Sequence, residues 1–152
     1  MIFLKAIVTS IRSIRSRMNV PYSKKIDLIV RCKNQKKIIF EKHKVLIKSL
    51  VNINNIRLGE KIQKPKKSST VIIEGAELFI PLGGLINLDQ EKSRMEKRII
   101  DINRLLNIIN GKLSNKNFIN RAPESVIMKE KLNFKKLNEE LEKVNSNLEM
   151  LK

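Results

Sequence analysis

The sequence predicts an α+β fold: an N-terminal helix, a small α/β unit with a β-hairpin, and a long antiparallel two-helix coiled-coil hairpin. Three observations carry this prediction. Ile7, Ile11 and Ile14 recur three or four residues apart, with Leu4 and Met18 extending the stripe, which is one face of a helix. The runs IDLIVRC and TVIIEGAELFIPL are rich in β-branched and aromatic residues, as strands are. Two apolar seams, Met95 to Leu113 and Phe134 to Leu151, alternate steps of three and four as an a/d repeat requires.

In order along the chain, residues 2–18 read as a helix that ends before NVPYSKK, where Pro21 restricts its predecessor. Residues 26–32 then alternate Ile26, Leu28, Val30 and Cys32 with Asp27, Ile29 and Arg31, which fits a half-buried strand. Lys36 to Leu50 does not alternate and reads as one helix. VNINNIRLG reads as a short strand ending at Gly59, and KIQKPKKSS as a basic loop. Val71–Glu74 and Glu77–Leu82 are expected to pair as a hairpin about Gly75-Ala76. The expected organisation is a helix over 1–19, an α+β unit over 20–87 and a coiled-coil arm over 88–152 with its tip at 111–123.

Neither seam of the arm can bury itself alone, so the short link between them implies a chain that folds back. A dimerising rod is the plainer alternative, but it would not need the link GKLSNKNFINRAPES. Gly111 is unfavourable inside a helix, and Pro123 with Glu124 suits the start of the next one. Ser114 and Asn115 can satisfy backbone groups orphaned at a helix end, and Phe118 with Ile119 can plug the turn.

Charge narrows the function. The 152 residues hold 32 Lys+Arg against 15 Asp+Glu, a net charge of +17, which suits a polyanionic partner such as nucleic acid or an anionic surface. The 23 Lys, 23 Ile and 16 Asn also fit AT-rich codon drift, so the cluster Arg12, Arg15, Arg17 is the better witness. Residues 1–87 carry 18 basic and 5 acidic side chains, and residues 88–152 carry 14 and 10. One cysteine and one histidine offer neither an internal disulfide nor a four-ligand zinc site. No apolar run reaches the roughly 20 residues of a membrane span. Lys5 interrupts the opening apolar stretch, so no secretory signal is expected, and the acid-free start gives only a crude likeness to a mitochondrial presequence.

The run GKLSNKNFINRAPESVIMKEKLNFKKL resembles the C-terminal arm of bacterial-type valyl-tRNA synthetases, where a Lys-Leu-Ser-Asn step, a phenylalanine and an Ala-Pro pair mark the hairpin turn. FIPLGGLINLDQEKSRMEKRI is similar to that family's entry into the arm, and SIRSIRSRMNVPYSKK to the last helix of its anticodon-binding bundle and the loop that follows. The order and spacing of all three segments fit, and the resemblance covers essentially the whole chain. It implies a tRNA-binding C-terminal portion of a valine–tRNA ligase. The arm of that family meets the outer corner of the L-shaped tRNA, and the bundle lies nearer the anticodon.

The departures are large. The family's catalytic domain carries a histidine-rich ATP signature and a lysine-rich loop, whereas His43 stands alone in EKHKV and KLSN at Lys112–Asn115 belongs to the tip. Gly83-Gly84 lacks the spacing of a phosphate cradle. This chain is therefore expected to have no catalytic residues, no metal and no cofactor of its own, with ATP and Mg serving the parent enzyme. The partners implied are tRNA and the catalytic part of the synthetase, in the cytoplasm and without a membrane.

The expected tRNA contacts are Lys112, Lys116 and Arg121 at the acid-free tip, Arg98, Arg104, Lys129 and Lys131 on the arm, and Arg12 and Arg15 on the first helix. Gly111, Phe118 and Pro123 are expected to build the turn. Because the first helix would belong to a bundle absent from this chain, its Ile7/Ile11/Ile14 face is expected to be partly an interface. The alternative function is a free-standing RNA-binding or structural adaptor without a part in aminoacylation.

Overall fold

The computed structural model describes residues 1–152. Its elements are α1 (Ile2–Arg17), β1 (Ile26–Arg31), α2 (Asn34–Lys42), α3 (Lys44–Val51), β2 (Ile53–Gly59), β3 (Ser68–Ile73), β4 (Ala76–Pro81), α4 (Leu88–Ser114), α5 (Lys116–Arg121) and α6 (Glu124–Met150). The chain is α+β, and it divides into two compact units: Met1–Glu91 with Met150–Lys152, and Lys92–Glu149.

In the first unit four strands lie in the order β2-β1-β4-β3. β1 and β2 are parallel, so the chain must cross over between them, and α2 and α3 make that crossover. β3 and β4 form the expected antiparallel hairpin, and β4 also pairs antiparallel with β1. The hairpin turn falls on Glu74-Gly75, one residue earlier than expected, because both adopt positive φ (41° and 82°), as a two-residue hairpin loop demands. The helix expected over Lys36–Leu50 is two helices. The chain bends at His43 (φ −107°, ψ 12°), which ends α2 and starts α3.

The apolar stripe of α1 has its partner within this chain. Ile7, Ile11 and Ile14 are fully buried, with Phe40, Ile47, Leu78 and Ile80 also in the core, and α1 lies against α3 and β3. The expectation that this face would be left for another polypeptide is corrected: the sheet that follows α1 covers it. α1 stops through Asn19 at φ 52°. There the amide of Val20 donates to the carbonyl of Arg15 (2.9 Å), and that of Asn19 to Ser16 (3.3 Å), a left-handed cap that satisfies the last carbonyls.

The second unit is a hairpin of two 27-residue helical elements, α4 and α6, joined through the 6-residue α5. At 1.5 Å per residue each long helix is about 40 Å. Along α4, Met95, Ile102, Leu106 and Ile109 are buried, while Leu105 and Ile108 are partly exposed, so the a/d reading selects the inward face. Two ion pairs fix the antiparallel register: Arg98 with Glu140 (2.7 Å) and Lys112 with Glu130 (2.9 Å).

Candidate nucleic-acid interface

The tip of the arm is built differently from its sequence expectation at one residue. Gly111 lies inside α4, has no positive φ, and has nothing within 4 Å of the place a Cβ would occupy. It does not reverse the chain. The reversal begins at Asn115, whose Oδ1 accepts the backbone N–H groups of Asn117 (2.9 Å) and Phe118 (3.4 Å) and so caps α5. α5 ends at Ala122 in an extended conformation. Pro123 follows, where its missing N–H has no helical acceptor to lose, and its carbonyl accepts from Val126 (3.0 Å) and Ile127 (3.2 Å). Phe118 is half-buried and Ile119 is 38% exposed, so Phe118 carries most of the packing at the turn.

With the register known, the arm's charge divides by position. Residues 102–136, the outer half, hold eight basic and two acidic side chains, and the root (88–101 and 137–152) holds six and eight. The arm's net +4 is thus a +6 outer half joined to a −2 root. A tip-directed potential of this kind attracts polyanions to one end of the hairpin.

The candidate residues separate into three groups. Lys116 and Arg121 stand at the two ends of α5, and Lys129 and Lys131 flank inward-turned Glu130 on the first turns of α6; all four are exposed and none makes an ion pair. Arg104 is also open, 72% exposed, with only a long contact to Asp101 (3.9 Å).

Arg98 and Lys112 are already engaged. Arg98 donates from Nε and Nη2 to both carboxylate oxygens of Glu140 (2.7 and 3.0 Å), a two-pronged pair that holds the Glu140 carboxyl below the usual carboxylate range. Lys112 Nζ donates to Glu130 Oε1.

Arg12 and Arg15 part company on α1. Arg12 is exposed, and one guanidinium nitrogen donates to the Leu50 carbonyl (3.3 Å). Arg15 is only 5% exposed. Its Nη1 donates to the carbonyls of Pro21 (2.9 Å) and Lys24 (2.9 Å), and its Nη2 to those of Val51 (2.9 Å) and Asn52 (3.0 Å). The guanidinium also lies 5.5 Å from the centre of the Tyr22 ring. Burial lowers its pKa from the ordinary value, and it remains a cation because a guanidinium does not deprotonate in proteins. Arg15 is corrected from a phosphate contact to a clamp joining α1, the loop after it and the end of α3: both Nη groups are spent on carbonyls, and the side chain is buried away from phosphate.

Cys32 is buried, which pushes its thiol pKa up and leaves it unreactive. No helix is long and apolar enough to cross a membrane.

Comparison with known proteins bears on this arm directly. The family model described as the valyl tRNA synthetase tRNA binding arm matches residues 87–152. These residues belong to the valyl-tRNA synthetase tRNA-binding arm family. The likeness of the chain to valine–tRNA ligases runs beyond the arm. It is 35% identical to the valine–tRNA ligase of Listeria innocua over 150 residues, 98% of this chain and 17% of that protein. It is 32% identical to that of Chlorobaculum tepidum over 148 residues, 97% of this chain and 16% of that protein. The enzyme of Oceanobacillus iheyensis is also 32% identical, over 98% of this chain and 17% of its own length. The chain therefore spans about a sixth of the length of the curated relatives it matches, in their C-terminal region.

Proposed function

We propose that this chain anchors tRNA for a valine–tRNA ligase, with the outer half of the arm gripping the folded RNA and the catalytic groups lying in polypeptide outside the matched region. The observation that carries the reading is the segregation of charge along the arm: the outer half is strongly basic, and Lys116, Arg121, Lys129 and Lys131 project from it unpaired. Arg104 joins them from α4. Arg98 and Lys112 act in second place, since each must first leave a carboxylate.

The chemistry is positional. Cations on a rigid arm neutralise phosphates, and the counterions released make affinity fall steeply with salt. Folded RNA presents phosphates and 2′-hydroxyls rather than readable base edges, and the exposed amides of Asn117 and Asn120 suit the hydroxyls. Valine enters only through the family, because no residue here selects an amino acid. ATP and magnesium serve the active site of the parent enzyme, and the setting is the cytoplasm.

Gel retardation at low salt tests this, with folded valine tRNA and an unstructured RNA of equal length as competitors. The chain should retain the folded tRNA preferentially. Equal retention of both RNAs would reduce the reading to bulk charge.

A further inference from the structure

Side chains alternate across a strand, so Leu28, Val30, Leu78 and Ile80 enter the core on one face of the sheet while the register pair Ile29 and Phe79 turns to the other. The basic loop between β2 and β3 crosses that second face. Arg31, whose guanidinium lies 5.3 Å from the centre of the Phe79 ring, donates from Nη1 to the carbonyl of Ile62 (3.2 Å). Ser68 Oγ donates to the carbonyl of Pro65 (2.6 Å), and the amide of Leu82 to that of Lys67 (3.0 Å). With Ile62 and Pro65 half-buried as anchors, Lys61, Lys64, Lys66 and Lys67 are exposed and make no ion pair. A loop tied down in this way presents its cations without a further ordering cost on binding.

Part of the same face is open. Asp27, Ile29, Asn55, Arg57 and Pro81 line a groove of about 430 Å³, and Arg57 is the register neighbour of Ile29. Ile29 and Pro81 supply apolar surface, while Arg57 is exposed and makes no ion pair. Asp27 Oδ1 accepts the backbone N–H of Asn55 (3.2 Å), which leaves the second carboxylate oxygen and the Asn55 amide to meet a ligand. Apolar surface with a few convergent polar groups is the make-up of a site for a small planar group. The surrounding charge says which kind: residues 54–67 hold five basic side chains and one acidic one, which suits phosphate. An acidic peptide would meet Asp27 inside the groove, whereas the amino group of a base can donate to it.

We infer that this face of the sheet is a second RNA site, built by the first unit alone, that takes an unpaired nucleotide. The base lies in the groove against Ile29 and the Arg57 guanidinium, on whose plane bases stack, and the flanking phosphates meet Lys64 and Lys66. The choice of RNA rests on the anchoring function proposed above. The groove adds to it a contact with a single-stranded base, which the cations of the arm do not supply.

The test uses the full 152-residue chain carrying Lys116→Ala/Arg121→Ala, so that the tip of the arm contributes least. Binding of labelled RNA hexamers of adenosine, cytidine or uridine is followed by fluorescence anisotropy at low salt. Arg57→Gln should weaken binding about fivefold or more, the smaller end of what one lost base contact removes. If that change alters the thermal melt, Arg57→Lys replaces it, keeping the charge without the planar fork, and should also weaken binding. Lys64→Ala/Lys66→Ala should make the slope of log K against log salt shallower by about 1.4, at roughly 0.7 per phosphate for single strands. Lys37→Ala/Lys42→Ala removes two exposed cations from α2 and should leave hexamer binding unchanged. Asp27→Asn keeps an oxygen for the Asn55 amide and should change the order of affinity among the three hexamers.

Four results would overturn the inference: full binding by both Arg57 variants, an equal loss from the α2 pair, an equal gain for all three hexamers in Asp27→Asn, or displacement of the hexamer by polyglutamate as readily as by RNA. Retention of folded tRNA by the unsubstituted chain is read separately. If tRNA is retained and the hexamer results fail, the second site falls alone; if tRNA is not retained, the anchoring function falls, whatever the groove does.

Discussion

Arg15 offers the sharpest test of how the first unit is held together. Arg15→Met keeps the aliphatic stem and removes five N–H donors, four of whose contacts end on carbonyls of residues 21, 24, 51 and 52. The bond to Val51 is buried, and the other three are partly buried. A buried acceptor left without a partner costs about 1–3 kcal/mol, and a bond that water can replace about 0.5 kcal/mol. Removing the cation also relieves its own desolvation and the buried Nε that has no partner, which offsets part of the loss. The net expectation is a destabilisation of about 3 kcal/mol, a large share of a small unit's stability.

Because the chain has two units, a whole-molecule transition would mix them. Tyr22 is the only tyrosine and tryptophan is absent, so tyrosine fluorescence in a urea titration follows the first unit alone. Arg15→Lys, with a shorter reach and no fork, should cost about half as much. Arg12→Met should cost less than about 0.5 kcal/mol, since its single bond is exposed. A loss below about 1 kcal/mol for Arg15→Met, or a larger effect at Arg12, would refute the clamp.

Three further predictions concern the arm. Gly111→Ala should raise its stability by about 0.5–1 kcal/mol, read by far-UV circular dichroism on melting, because the position is helical with open space at the Cβ; a loss would return Gly111 to the turn. Glu140 is held below the usual carboxylate range by Arg98, so its contribution is present above the unfolded-state value and fades as pH falls through the lower folded one. With both side chains about two-fifths exposed, Glu140→Gln should remove no more than about 0.5 kcal/mol at pH 7 and flatten the loss of stability toward acid. An unchanged acid profile would contradict the pair. Glu130→Gln frees Lys112 and removes one of the two acids of the outer half, so tRNA affinity at low salt should rise about threefold, and weaker binding would contradict the placement of the interface.

The parts of this fold that the sequence made legible are those with a period. The first seam of the arm could be read because burial every three or four positions is a repeated signal: Met95, Ile102, Leu106 and Ile109 are buried in α4, whereas in α6 the expected seam residues are half-buried and the buried residue is Asn147. Gly111 misled because a glycine's helical penalty of about 1 kcal/mol is small against a 27-residue helix held by tertiary packing. Arg15 was illegible for a different reason. Its partners lie up to 37 residues away in sequence, and a carbonyl carries no mark of side-chain identity.

The central claim is that the outer arm meets phosphate, and the salt dependence of tRNA binding addresses it most directly. The equilibrium constant for tRNA should be measured from low to moderate salt for the full chain and for Lys116→Ala/Arg121→Ala. If both residues neutralise phosphates, the variant should bind more weakly, and the slope of log K against log salt should become shallower by about 1.5, at roughly 0.7–0.9 per contact. An identical slope in chain and variant would contradict the account and leave the tip as structure alone.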